Sequence, residues 1–591
     1  MTMQQKDKFT PELRILAASL LSMAVILLWA KFFAPKPPVQ PPQAQKPGIT
    51  ASAPAAATVP PPADGGKPDP RITAAKNNAP TAATAAPIAA KTDTQERTLV
   101  VESDLYRVEF SNRGGVVKSW QLKKYTDDAK PPRVLDVVHP QAAEQTGGWP
   151  FAVVLDDPQE QAAANSALYQ MTPSAPETAA PTDVDFSWSD GHLEITKRFH
   201  FEHSYVSRLE VSAKLDGKPI TAGLAWLGGF GDLTVSNPAP AETVSTYYSE
   251  GGKINTFPHK KLDGIDKWGS GIWQGGKDFT GIEDRYFTVA FLPANGAAPG
   301  TLETRYWKTF ETTQVAGQDT QIPVVEIATA VSAPTTALRV FVGPKDYDDL
   351  KKMTPPLHGL VNFGWLEFIA DPLFHALKWL HNYIPNWGWA IVVLTLVINM
   401  LLFPLRISSY RTTLKMQRVG PEIKAIQDKF KKYSMRDPRK AEMNKEVMAV
   451  YQREGINPVG GCFQMFLQMP IWFGLNTALR YAIEMRHARW FGWITDLSAR
   501  DPYYVLPVMM GLSMYLVSKM TPMTSTDPQQ QMMMKIMPVT MAGIFMISPI
   551  SSGLAVYILT SSVVGIAQQW YLNRTHPAPP APPKLTRAKK S

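Results

Sequence analysis

The sequence predicts a multi-domain membrane protein: an α-helical bundle of six transmembrane spans, with an extracytoplasmic all-β domain set between the first span and the second. Three observations predict it. Long uncharged apolar runs lie near the N-terminus and after about residue 360, short alternating runs fill Thr98 to Gly343, and lysine and arginine gather in two segments that a membrane would place on one side. Averaged over 591 residues the mean hydropathy is near neutral, which hides this partition. Cys462 is the sole cysteine, so an exported domain has no intramolecular disulfide and must hold through its core. The net charge of +9 fits nucleic acid, anionic lipid or cytoplasmic loops, and the positions of the charges decide among them.

Residues 1–33 hold the first apolar run, Ile15 to Trp29, behind Lys6, Lys8 and Arg14. An A-x-A cleavage site is not evident after it and Phe32-Phe33 prolong it, so it reads as an uncleaved anchor, with a cleaved signal peptide as the alternative. Residues 34–97 are rich in proline and alanine (PKPPVQPPQ, VPPPADGG) and cannot bury enough surface to offset ordering, which predicts a disordered linker. Residues 98–345 read as a β-sandwich. LVVESDLYRVEFSNRGGVVKSW is strand, turn, strand with Gly114-Gly115 at the turn, and HLEITKRFHFEHSYVSRLEVSAKL, RYFTVAFLP and ALRVFVG continue the style. His200 and Glu202 share a strand face while His203 points away, which is poor metal geometry and favours exposed strand residues.

Residues 346–385 are a linker and an amphipathic helix. Glu367, Asp371, His375, Lys378 and His381 mark one arc; Trp365, Phe368, Phe374, Trp379 and Tyr383 mark the rest, which suits the membrane interface better than a soluble core because a span follows at once. Residues 386–573 form the membrane core. Trp387 to Phe403 is uncharged and about 26 Å long as a helix, near the thickness of a bilayer core. Cys462–Ala482, Val505–Val517, Ile536–Ile547 and Gly553–Tyr571 supply the remaining spans. Residues 406–455 carry thirteen lysines and arginines against six acids, and the tail 574–591 has five cations and no acid. The positive-inside rule makes both cytoplasmic and puts the β domain outside. Within 406–455, Val419, Ile423, Ile426, Phe430 and Tyr433 follow the 4-3-4-3 spacing of a coiled-coil seam, with Pro421 in a first helical turn. Asp437-Pro438 opens a second arm whose Met443, Val447 and Val450 face the first. This hairpin either simply connects spans or offers Lys424, Lys429, Lys431, Lys432, Arg436, Arg439 and Lys440 as a basic docking surface.

Polar residues recur inside the spans at helical spacing. Thr395 and Asn399 share one face, Gln464 and Gln468 another, and Tyr557, Ser561, Gly565 and Gln568 a third. Each fits either interhelical hydrogen bonding or one wall of a hydrated groove. No acid or base stands mid-span, which argues against a proton-coupled transporter. Methionines crowd Met509 to Met546, as adaptable contact surface or as ordinary filler. The reading calls for no catalytic residue, cofactor or metal.

The segments GWLEFIADPLFHALKW, FPLRISSYRTTLKMQ, GINPVGGCFQMFLQMPIW, DLSARDPYYVLPVMMG, TDPQQQMM and SSGLAVYILTSSVVGIAQQ resemble the YidC/Oxa/Alb family of membrane insertases, in family order. SNRGG and FVGPKDY resemble the ends of that family's large periplasmic domain, which implies a β-supersandwich. The resemblance implies five core spans around a hydrophilic groove, open to cytoplasm and lipid and closed outward. It puts Thr395, Gln468 and Tyr557 on groove or substrate-contact positions. Family members commonly carry arginine where this chain has Asn399; Arg406, seven residues on, would bring a charge to the cytoplasmic mouth. The implied role is to assist integration and folding of inner-membrane proteins, alone or with the Sec translocon. Implied partners are nascent membrane-protein clients, the lipid bilayer, and the ribosome and a targeting factor; DNA is not among them. A small-solute channel and a membrane-tethered carbohydrate-active protein are the rival readings.

The topology is testable directly. In spheroplasts of a Cys462→Ser strain, an impermeant thiol reagent is expected to label Asp216→Cys and to spare Lys429→Cys. The opposite pattern overturns the assignment.

Overall fold

The computed structural model describes residues 89–577 apart from 233, 235–243, 263–272, 316–317, 332, 334, 362, 364–365, 434–436, 457–462, 523–527 and 549. The expected anchor, most of the linker and nearly all of the basic tail lie outside the described residues, as do Arg436 and the side chain of Gln464.

Alternation builds the β domain. In Leu193–Phe201 the odd-numbered side chains face the core and Glu194, Thr196, Arg198 and His200 face away. This strand pairs antiparallel with Thr182–Ser189 on one side and Val206–Leu215 on the other, so that Phe186 and Val211 flank Lys197. Among the described residues the strands form one ten-stranded and two five-stranded sheets. Their inner faces meet in one aromatic core in which Trp120 packs on Trp226 and Phe151 on Phe199. Among the described residues, a single helical turn (His259–Leu262) and two longer helices interrupt the strands, α1 (Pro140–Thr146) and α2 (Pro158–Ser166). They were illegible as helices because none is long enough to establish an apolar period. His200 engages Asp183 at 2.5 Å and Glu202 at 3.2 Å, and His203 engages Asp104, so these histidines belong to surface hydrogen-bonded pairs with carboxylates.

Lys197 occupies an inward position in that alternation and is fully buried. Its ammonium donates to the carbonyls of Gly114 (2.7 Å), Phe151 (2.8 Å) and Gly115 (3.0 Å), so all three protons are used. Gly114 has a φ of 72° and a Cβ there would lie 2.5 Å from the Asn165 carbonyl oxygen, so only glycine makes this turn. Buried lysine and glycine turn hold one another.

A short helix, α3 (Tyr347–Lys351), capped by Asp346, leads from the domain to the bundle. Then follow α4 (Glu367–Tyr383), α5 (Trp387–Lys429), α6 (Arg439–Arg453), α7 (Phe463–Tyr481), α8 (Val505–Met520), α9 (Pro528–Ile547) and α10 (Ser552–Thr575). α10 packs against α5 and α8, α9 against α8, and α7 against α4. At the α8–α9 crossing a Cβ on Gly511 would come within 2.5 Å of that of Ala542, so the small residue sets the approach. The last three helices run beyond the apolar stretches that announced them, because polar turns continue each one outside the apolar run. Among the described residues one helix, α5, is both long and apolar enough by length and composition to cross a membrane. Large apolar side chains nevertheless stand exposed along several helices, including Leu396, Met400 and Leu401 on α5, Val508 and Leu512 on α8, and Val563 on α10. Surfaces of that kind require a nonaqueous neighbour.

Two expectations need correction. Pro421 does not begin a helix: α5 runs unbroken for 43 residues through both Pro404 and Pro421, about 65 Å. Gly420 precedes Pro421 and has no Cβ to meet the proline ring, which removes one of the clashes that oppose a helix there; Phe403 before Pro404 has no such relief, and the helix continues there too. The membrane segment and the first hairpin arm are therefore one rod, with no break at 406. The aromatic arc of α4 also divides. Phe374 is buried with Ala370 and Leu377 against the bundle, whereas Phe368, Trp379 and Tyr383 are exposed. The hairpin seam holds in part: Val419 and Ile423 are buried with Val450, and Ile426 and Val447 pack beside them, but Phe430 and Tyr433 lie beyond the end of α5 and neither they nor Met443 join this cluster.

The Lys197 arrangement makes a stability prediction. Burial pushes its amine from 10.5 down to about 7, so between those values the unfolded chain holds more protons and β-domain stability rises with pH. Lys197→Met strands three carbonyls and is expected to lower stability by about 2–4 kcal/mol and to flatten that pH dependence. Thermal unfolding of the solubilised protein from pH 6.5 to 10 measures both.

Candidate functional site

The polar residues of α5, α7 and α10 converge on one another. Thr395 is fully buried and its hydroxyl donates to the Ile391 carbonyl at 2.6 Å, one turn back. The Asn399 amide donates to the Thr395 carbonyl at 2.8 Å and reaches the Ser561 hydroxyl at 3.3 Å. One turn further, Gln568 donates to the Asn399 carbonyl at 3.2 Å and accepts from Arg406 at 2.9 Å. The second Arg406 nitrogen donates to the Gly565 carbonyl at 3.3 Å. Nearer the start of α10, Gln468 of α7 donates to the Tyr557 hydroxyl at 3.0 Å. A stripe on α10, Tyr557, Ser561, Gly565 and Gln568, is thus met by α7 at its start and by α5 along its length.

Seven of the eight expected groove residues have described side chains; six of them join this network, the Thr395 side chain bonds within α5, and Gln464 lies outside the described side chains. They are not equivalent. Thr395, Asn399 and Tyr557 are buried, whereas Arg406, Gln468, Ser561 and Gln568 are half-buried. Arg406 is the cation of the stripe, two turns from Asn399 along α5.

The hairpin cations divide as well. Lys429 pairs with Glu446 at 3.2 Å, and Arg453 with Glu422 at 2.7 Å across the two arms. Arg439 stacks on Tyr433 at 4.6 Å, and Lys440 approaches the Met443 sulfur. Lys424, Lys431 and Lys432 are exposed and carry no ion pair among the described residues. The methionines divide too: Met510 is buried and Met514 and Met541 pack inward, while Met509, Met532, Met533, Met537 and Met546 are exposed.

A second polar centre escaped sequence reasoning. The connection between α7 and α8 reaches into the β domain, where the side chain of Arg486, 3 % exposed, pairs with buried Asp232. His487 engages Asp128 at 2.6 Å and Thr126 at 3.2 Å. Lys378 of α4 bridges Asp348 (2.7 Å) and Glu484 (2.8 Å). Burial works against that ammonium's charge, but the two carboxylates hold it well above its usual range. Asp128, His487 and Asp496 bring possible metal-ligand atoms within 4.8 Å, yet Arg486 stands 4.0 Å from Asp128, so the group works as an ion-pair latch between domain and bundle. One signal was available. A connection predicted to lie outside the membrane should be poor in cations, yet this one carries Arg486, Arg489 and Arg500.

Two family models match consecutive parts of the chain: the YidC periplasmic domain over residues 98–376 and the 60Kd inner membrane protein over residues 379–579. A membrane protein insertase YidC of Syntrophus aciditrophicus is 33 % identical over 576 residues, which is 95 % of this chain and 99 % of the relative. Another, of Citrifermentans bemidjiense, is 32 % identical over 488 residues, 80 % of this chain and 85 % of the relative. Among solved structures, an active YidC insertase with its first transmembrane domain resolved is 18 % identical, covering 83 % of this chain and 96 % of its own, at a TM-score of 0.34. These names favour neither a solute channel nor a carbohydrate-active protein.

The pair between α7 and α10 can be tested in isolation. Tyr557→Phe leaves the Gln468 amide without its acceptor, and Gln468→Leu leaves the hydroxyl without its donor. Each is expected to destabilise the solubilised protein by about 1–3 kcal/mol, and the double variant by less than the sum. Additive losses in unfolding midpoint mean that the two groups do not interact.

Proposed function

The chain belongs to the YidC family of membrane protein insertases, inner-membrane proteins with a periplasmic domain, and on that premise we propose that the stripe along α10 is the path by which it handles a client. The observation that carries this reading is the convergence of Asn399, Arg406, Gln468, Ser561 and Gln568 between helices whose outer faces are apolar. A nascent segment arrives near the cytoplasmic hairpin. Its short polar flank exchanges water for the half-buried donors and acceptors of the stripe, which lowers the cost of crossing. Its apolar part moves outward along exposed side chains of α5 and α8 into lipid, driven by about 25 cal/mol per Å² of surface removed from water. Arg406 supplies the positive charge that attracts acidic flanks. Exposed Lys424, Lys431 and Lys432 give the hairpin a docking surface for a ribosome or targeting factor, and the protein works alone or beside the Sec translocon.

The proposed topology has six spans and cytoplasmic termini. Its support is geometric: the β domain engages the connection between α7 and α8, while the opposite end of α10 meets the hairpin-side half of α5 through Tyr410 and Asn573 at 2.8 Å. These are the two sides that the distribution of cations separates.

Reconstitution in lipid vesicles with a single-span client, and with no other translocation protein, tests the function. Insertion above empty vesicles is expected; its absence in vesicles holding correctly oriented protein overturns the reading. Asn399 then reports on the stripe. Asn399→Arg is expected to insert stably, because a hydrated site removes most of the roughly 2.5–3.5 kcal/mol cost of a charge at mid-helix. Asn399→Leu is expected to slow a client with a charged translocated flank severalfold more than a wholly apolar one. Degradation of the Arg variant with normal handling of both clients by the Leu variant makes Asn399 a packing residue.

A further inference from the structure

Between the β domain and the bundle lies a cavity of about 440 Å³ that neither the stripe nor the hairpin uses. Four cations line it: Lys130 and Arg285 from the domain, and Arg486 and Arg500 from the connection between α7 and α8. Ser552, in the first turn of α10, closes one wall. The acids on its lining are Asp128 and Asp496. Both are already engaged: Asp128 by His487, and Asp496 by the backbone amides of Ser498 (2.7 Å) and Ala499 (3.3 Å).

The donors, by contrast, are left over. Arg486 uses one terminal nitrogen on Asp232 and lies over the Phe287 ring at 5.4 Å, while its other terminal nitrogen is buried with no acceptor among the described residues. Arg500 gives a terminal nitrogen to the Met546 carbonyl and stacks on Tyr504 at 4.4 Å, leaving its Nε unmatched. The Ser552 hydroxyl is likewise buried and unmatched, although the residue's backbone amide donates to the Ala499 carbonyl at 2.7 Å. A buried donor without an acceptor is destabilising, and a guanidinium more so than a hydroxyl. What the cavity lacks is a compact group with several acceptor oxygens and negative charge.

We propose that this cavity is a phosphate-binding site, filled by the headgroup phosphate of an anionic phospholipid or by inorganic phosphate. Two oxygens of a tetrahedral phosphate accept the forked pair of N–H groups that a guanidinium presents, and Arg486, Arg500 and Ser552 all line this one cavity. The lipid source rests on the topology proposed above, which sets the junction at the outer membrane surface; the phosphate chemistry does not. The site also accounts for two of the three cations that make this connection exceptional under the positive-inside rule, Arg486 and Arg500.

The test uses the full-length protein. In detergent, the unfolding midpoint is followed against inorganic phosphate, with sodium chloride at matched ionic strength as control. In nanodiscs of phosphatidylcholine with or without phosphatidylglycerol, native mass spectrometry counts the lipids retained. Saturable stabilisation by phosphate but not chloride, or retention of phosphatidylglycerol over phosphatidylcholine, is expected. Preference for the lipid over free phosphate assigns the headgroup; the reverse assigns the soluble anion. Lys130→Gln combined with Arg500→Gln is expected to weaken binding about tenfold or more, and Ser552→Ala less. Lys130→Gln alone changes an exposed side chain and guards against misfolding. Equal effects of phosphate and chloride with no lipid preference overturn the site, as does binding that the double variant leaves unchanged. Client insertion by the same preparations is scored separately, so a failed insertase reading and a failed phosphate site give different results.

Discussion

A polar side chain among apolar helices is costly unless another polar group meets it, and the bundle is arranged around that requirement. Thr395 satisfies it within its own helix, by donating one turn back. Asn399 satisfies it half within α5 and half across to Ser561. Arg406 satisfies it entirely on α10, through Gln568 and the Gly565 carbonyl. Towards the hairpin the stripe therefore changes from self-contained to dependent on a neighbour. Under the proposed client path, a group whose partners belong to another helix is the one free to exchange them, and Arg406 is that group.

The domain and the bundle are not joined by a tether alone. A single apolar cluster runs from Tyr247, Phe279 and Leu292 of the β domain through Tyr347 and Leu360 to Phe374, Ile391 and Leu554. The latch of Arg486, His487 and Lys378 surrounds it. Apolar burial supplies the attraction, and buried ion pairs add less net stability than orientation, because desolvation offsets much of their Coulomb energy. Removing one partner is a different matter: Asp232 without Arg486 would be a buried carboxylate with no counter-charge.

Much of this was legible in the sequence, and the limits follow from the range of each signal. Periodicity acts over ten residues or so. It found the strands around Leu193 and Phe287, the seam at Val419 and Ile423, and the polar faces of Thr395 with Asn399 and of Tyr557 with Ser561. It could mark Lys197 only as an oddity on an inward face, since its acceptors lie about 46 to 83 positions away. Arg486 and Asp232 are separated by 254 positions, and no local pattern connects them. Pro421 misled because proline is a strong punctuator, and a local pattern rule does not see the neighbours against which α5 stays helical through both Pro404 and Pro421. The split of the α4 aromatics depended on which neighbours arrive, and periodicity names faces without naming neighbours.

The unbroken α5 has a mechanical meaning. Tyr410, held to Asn573, pins the rod beside the end of α10. From that pin to Lys429 is about 28 Å along the helix and to Thr395 about 22 Å the other way, so the rod is a lever with nearly equal arms. Were the rod to turn about that pin, a displacement of the hairpin tip would reach the wall of the polar stripe at about four-fifths of its size, with opposite sign. Pro404 and Pro421 sit one in each arm, and each removes a backbone hydrogen bond at a known place. They are the two points of compliance in an otherwise stiff linkage, and their stiffness sets how much of a push at the tip reaches the bonds between α5 and α10.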